Sequence, residues 1–128
     1  MTNDPRTTSN HLTSDQRAGL EAALSHVESA ATGYADDLAA FVRVPSVSTI
    51  AEHRGDIDAA AAWVAQRLRL AGIDDVQTIP TAGHPVVVGR TALTPGARTV
   101  IVYGHYDVQP PEPLELWDSP PFEPEVRD

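Results

Sequence analysis

The sequence contains no cysteine. That excludes disulfides and the Cys-based zinc sites of small folds, so any metal must be held by His, Asp and Glu. It also fits a reducing cytoplasm. Basic residues are scarce: 9 Lys and Arg against 18 Asp and Glu leave a formal charge of −9. Phosphate backbones and anionic lipid surfaces attract the opposite sign, so nucleic-acid and membrane partners are not expected. No apolar run approaches the roughly 20 residues that a spanning helix needs. The opening MTNDPRTTSNHLTSD has neither the apolar core nor the small-residue cleavage site of a secretory signal. No Gly-rich phosphate loop precedes a helix. These absences together describe a soluble, acidic, cytoplasmic protein.

What is present is an apolar fraction of 41% in 128 residues, enough for one domain of ordinary size. Residues 1–12 read as a polar, flexible arm, and residues 13–128 as the folded part. Thr13 and Gln16 have the spacing of a capping box. Leu20, Leu24, Val27, Ala31, Tyr34, Leu38 and Phe41 then recur every three or four residues, which makes one apolar helix stripe. Pro45 ends that helix near Arg43. A second helix is expected from Asp56 as N-cap, with Ile57, Ala61, Val64, Leu68 and Ala71 on its buried face and Gly72 as its left-handed stop.

Three strands are expected next: DVQTIPT, HPVVVGRTA and RTVIVYG. Pro80 suits the first to a sheet edge. The unbroken apolar run of the third predicts burial on both faces, as in the middle of an α/β sheet. The order helix, helix, strand, strand, strand predicts an α/β layer on a mixed sheet. The last third is rich in proline and acid and has no strand after it. The expectation is therefore the N-terminal part of a longer catalytic domain, incomplete at its C-terminus.

The chemistry concentrates in GHYDVQP, Gly104 to Pro110. In α/β sheets, functional groups gather at the carboxyl ends of strands. Residues two apart on a strand share a face, so His105 and Asp107 become neighbours while Tyr106 turns away. A metal-binding imidazole uses one ring nitrogen on the metal and gives the hydrogen on the other to a carboxylate. His105 is the candidate ligand and Asp107 its orienting carboxylate. One His cannot hold a zinc ion, which takes three or four protein ligands.

His11 lies in the arm, His26 on the polar side of the first helix, and His53 and His84 in loops; each reads as solvated. The pairs Asp36 with Asp37 and Asp74 with Asp75 read as surface and turn residues. Ser46 and Ser48 read as loop hydrogen-bonders, not nucleophiles. Pro110, Pro111 and Pro113 stiffen the final loop, and Trp117 and Phe122 are expected to anchor it against the core.

The longer strings VIVYGHYDVQP and LWDSPPFEP resemble the first metal-ligand segment of a zinc metallopeptidase family. That family contains dipeptidases of the carnosinase type, aminoacylase, acetylornithine deacetylase and succinyl-diaminopimelate desuccinylase. LAAFVRVPSVST and AAAWVAQRLRLAGI are similar to its first-helix exit and second helix, and the dipeptidase branch is the best match. The resemblance runs from Leu20 to Asp128.

It implies an α/β catalytic domain with two zinc ions, or other divalent metals, bridged by a carboxylate and a water. It also implies a small peptide or N-acyl amino acid as substrate, cleaved at an amide next to a free carboxylate, and a homodimeric parent protein. His105 matches a metal ligand of the family, and Asp107 matches a catalytic active-site Asp. The family's bridging Asp, catalytic Glu, further acidic ligand and late His come downstream of the matched segment and have no counterpart here. The 128 residues alone are therefore expected to be inactive, whether as part of an enzyme or as a non-catalytic module.

Overall fold

A computed structural model describes residues 12–127. The expected arm, with His11, lies outside the described residues apart from Leu12, and so does Asp128. Two compact units make up the chain, Met1–Asp37 and Leu38–Asp128.

The first helix, α1, runs from Ser14 to Val42. Its start is the capping box. The Thr13 amide donates to Gln16 Oε1 at 2.8 Å, and the Gln16 amide donates back to Thr13 Oγ1 at 3.2 Å. Two amides that the helix leaves without partners are thereby satisfied. The apolar stripe is continuous but not buried: Leu20, Leu24, Val27, Tyr34 and Leu38 are exposed, and no α1 residue is buried.

In the second unit, a 3-10 turn at Ala51–His53 leads into α2, Arg54–Leu70. The helix therefore begins before Asp56, which lies in its first turn. His53 takes the N-cap position without a capping side-chain bond. The Asp56 carboxylate instead meets His53 Nδ1 at 2.6 Å, near the positive end of the helix dipole, where an acid is favoured. The buried face is Ile57, Ala60, Ala61 and Ala65. Val64 and Leu68 are half-buried and Ala71 is exposed, so the core side of α2 is made mostly of alanine.

Gly72 ends α2 as expected, at φ +85°. Its amide donates to the Arg69 carbonyl and the Ile73 amide to the Leu68 carbonyl, each at 3.0 Å, the paired closure of a Schellman stop. Phe41, from the last turns of α1, stacks on Trp63 with ring centroids 4.6 Å apart. Arg67 lies over the same indole.

The first two strands form an antiparallel hairpin: β1, Asp75–Ile79, and β2, Val86–Arg90. Asp75 pairs with Arg90 and Ile79 with Val86. β1 stops before Pro80, which has no hydrogen for the ladder. Gly89 brings β2 onto α2. A Cβ there would sit 3.1 Å from an Ile73 methyl and 3.2 Å from a Leu68 methyl, so a side chain could enter only if those methyls gave way.

The third expected strand does not form. Residues 98–104 have no ladder, and Val100, Ile101, Val102 and Tyr103 are 80–92% exposed. A strand is defined by its neighbour, and among the described residues nothing pairs with this run. The sheet is thus two-stranded and antiparallel. Among the described residues, a parallel contact exists only as an isolated bridge between Val47 and Val108. That bridge sits beside GHYD.

Candidate metal-ligand site

The site is built from two loops lying side by side. After α1, Pro45 turns the chain into an extended stretch, and Ser46 and Val47 are 3% and 1% exposed. The Val108 amide donates to the Ser46 carbonyl at 2.9 Å, and the Ser48 amide donates to the Val108 carbonyl at 3.3 Å. Ser46 Oγ also donates to the Tyr106 carbonyl at 2.8 Å. The backbone on both sides of Asp107 is therefore held by residues 46–48.

Tyr106 turns away from its neighbours, and its hydroxyl donates to the Pro85 carbonyl at the entry to β2. Burial raises the Tyr106 pKa, as do the nearby charges of Asp107 and Asp58. This fixed tyrosine leaves His105 and Asp107 on the same side.

His105 Nδ1 lies 2.9 Å from the Asp107 carbonyl oxygen and 3.3 Å from Asp107 Oδ1. Both neighbours accept hydrogen bonds and neither can donate. A neutral ring must therefore carry its hydrogen on Nδ1, which leaves the Nε2 lone pair free. The side chain is 72% exposed. The Asp107 carboxyl has a lowered pKa. A hydrogen bond from the Ser48 hydroxyl is the largest cause; burial opposes it, and a backbone hydrogen bond and His105 add to it. Asp107 is thus held as a carboxylate, the state in which it can accept the imidazole hydrogen.

The other candidates go elsewhere. His26 packs edge-on to Tyr34, His53 pairs with Asp56, and Asp75 faces Arg90 across the hairpin at 3.6 Å. His84 is half-buried, not solvated: its Nε2 donates to the Ser48 carbonyl at 2.8 Å. Ser46 and Ser48 are hydrogen-bonders, as expected. Trp117 does not anchor against the core. It is 54% exposed, and its indole nitrogen donates to the Pro111 carbonyl at 2.8 Å, bracing the proline loop. With Leu114, Pro120 and Pro121 it lines an open groove that none of His105, Asp107 and Ser48 reaches. Phe122 is half-buried at φ 66°, where a bulky side chain is rare.

Among the described residues, no three His, Asp or Glu side chains gather as a metal cluster. The geometry fits one coordination position, an exposed imidazole oriented by a carboxylate, and not a complete shell.

No family profile matches the chain. The Cys-Gly metallodipeptidase of Saccharomyces cerevisiae is 29% identical over 93 residues, which is 63% of this chain and 19% of that protein. A succinyl-diaminopimelate desuccinylase of Xanthomonas oryzae pv. oryzae is 36% identical over 69 residues, 54% of this chain and 15% of that one. A solved structure of the yeast dipeptidase superposes with a TM-score of 0.69 at 28% identity, covering 76% of this chain and 22% of its own. The homologues of this chain are metallodipeptidases and desuccinylases. Its α/β fold is part of the dipeptidase fold, with the helices and antiparallel hairpin described above. The chain spans between 15 and 25% of the length of the metallodipeptidase and desuccinylase relatives it matches.

Proposed function

We propose that these residues are the first metal-ligand segment of a zinc-dependent, dipeptidase-like hydrolase. The observation that carries the reading is the placement of His105 Nδ1 against two Asp107 oxygens, 2.9 Å from the carbonyl and 3.3 Å from the carboxylate, the arrangement that reserves the other ring nitrogen for a metal. The similarity to metallodipeptidases supports it. When bound, paired divalent ions supply Lewis-acid polarisation of an amide carbonyl and a water acidic enough to attack it. The contribution of this chain is narrower. His105 offers a single nitrogen, Asp107 keeps the ring in one tautomer and orientation, and residues 46–48 fix the backbone that carries both. The remaining ligands and the general base belong to segments outside these residues. A small dipeptide with a free carboxylate is the substrate class, and a homodimer in the cytoplasm is the setting. The desuccinylase similarity supports a second substrate class, an N-acyl amino acid.

The test is hydrolysis of dipeptides and of N-succinyl amino acids by the product of the uninterrupted reading frame that contains these residues. Activity should fall with a chelator and drop at least about 100-fold in His105→Ala, as losing a metal ligand costs at least what losing its supporting partner does. Activity indifferent to both would refute the proposal. The 128 residues alone should be inactive and bind zinc weakly in calorimetric titration.

A further inference from the structure

We infer that Ser46 is the positioning residue for the His105–Asp107 pair: its hydroxyl and its carbonyl hold the two peptide planes that flank Asp107. The inference rests on the reading of His105 as a metal ligand for its purpose, but its geometry is independent of any metal.

Among the described residues, Ser46 is the one buried polar residue, and each of its polar groups is engaged. Its amide donates to the Val44 carbonyl at 2.8 Å, within its own loop. Its hydroxyl donates to the Tyr106 carbonyl at 2.8 Å. Its carbonyl accepts from the Val108 amide at 2.9 Å. A peptide unit is planar, so fixing one end of it fixes the other. The Tyr106 carbonyl belongs to the plane that enters Asp107, and the Val108 amide to the plane that leaves it. Ser46 thus holds both planes, and with them the two backbone dihedrals of Asp107.

The second plane is also the one that meets the imidazole. The Asp107 carbonyl shares a peptide unit with the Val108 amide, and His105 Nδ1 is 2.9 Å from that carbonyl oxygen. With both dihedrals set, the Cα–Cβ bond of Asp107 has one direction as well, and the carboxylate oxygen Oδ1 lies 3.3 Å from the same nitrogen. Neighbouring contacts act on other groups. The Tyr106 hydroxyl ties the tip of its side chain to the Pro85 carbonyl, and the Ser48 amide holds the next plane along, through the Val108 carbonyl. His105 is exposed and Asp107 half-buried, so water competes for both, whereas Ser46 is shielded from it. Without the hydroxyl, the first plane can rock while the second stays held. The two Asp107 oxygens then no longer face Nδ1 together, and the ring hydrogen redistributes toward Nε2.

The experiment is solution NMR of the labelled chain, at a pH where the His105 ring is neutral, comparing the parent with Ser46→Ala and Ser46→Thr. Three signals are read. The Tyr106 carbonyl carbon reports the accepted hydrogen bond, the HN–Hα coupling of Asp107 reports its φ, and the His105 ring nitrogens report the tautomer. Ser46→Ala should shift the Tyr106 carbon, average the coupling and cut the ratio of Nδ1–H to Nε2–H by roughly threefold, the effect of weakening one hydrogen bond. The amide signals of α2 and the hairpin should stay in place. Ser46→Thr keeps a hydroxyl and should hold all three signals near the parent; losing all three there would count against the inference. An Ala variant whose coupling and tautomer match the parent would overturn it. If Ala loses the α2 and hairpin signals, the parent decides: a Ser46 hydroxyl proton protected from exchange supports the inference, and one that exchanges as freely as an exposed hydroxyl overturns it. Activity indifferent to the chelator and to His105→Ala would defeat the metal reading and leave these outcomes unchanged, because the tautomer is measured without metal.

Discussion

A neutral imidazole has one hydrogen to give, and at His105 both neighbours of Nδ1 are oxygens that accept it. The free lone pair on the far nitrogen follows from that simple count. Tyr106, between the two functional residues, does different work. Its ring is half-buried and its hydroxyl reaches the Pro85 carbonyl, tying the His105 loop to β2. Tyr106→Phe removes the donor and leaves a part-buried carbonyl unpaired. We expect a loss of about 1 kcal/mol in urea unfolding, and a midpoint unchanged from the parent would contradict the assigned tie. The pairing of His105 with Asp107 was legible in the sequence because it depends on residues two apart. The hold of Ser46 and Ser48 on the backbone beside Asp107, and of His84 on Ser48, was not, because those contacts join stretches far apart in the chain.

The same division between local and distant holds for whole elements. Both helices carry their boundaries in their own residues: the Thr13–Gln16 box at one start and the left-handed Gly72 at one end. Gly72→Ala forces a Cβ into positive φ and should destabilise by about 1–2 kcal/mol. Gly33→Ala, inside α1 with nothing within 4 Å of the added methyl, should instead raise stability by about 0.5–1 kcal/mol. Thermal melts followed by circular dichroism measure both, and effects of the same sign would contradict the assigned backbone geometry. The start of α2 was misplaced because His53 and Asp56 satisfy one another, and aspartate read alone looks like a cap. The run Val100–Tyr103 reads as a strand by composition, yet no ladder exists for it among the described residues. Propensity proposes a strand, and only a neighbour can make one.

At the scale of the whole chain, burial is thin. Among the described residues, the buried apolar ones are Val47, Ile57, Ala60, Ala61 and Ala65, so four of the five belong to one helix. Meanwhile the uncharged, β-branched sequence TVIVYG lies almost fully exposed, the composition of a segment that pairs with other chains. Sedimentation velocity should show association that rises with protein concentration, and Val102→Lys should reduce it, because a charge on an open strand opposes pairing. A single monomeric species at every concentration would contradict this.

The bridge between Val47 and Val108 also bears on the order of assembly. The hydrogen bond from Ser46 to Tyr106 closes a separation of 60 residues, whereas α2, its glycine stop and the hairpin are neighbours along the chain. Long closures cost more entropy than short ones, so the helix and hairpin gather first and shorten the path for the two loops to meet. The corner that presents His105 is then the last piece to knit and the first to come undone on warming, which makes its imidazole an early witness of unfolding.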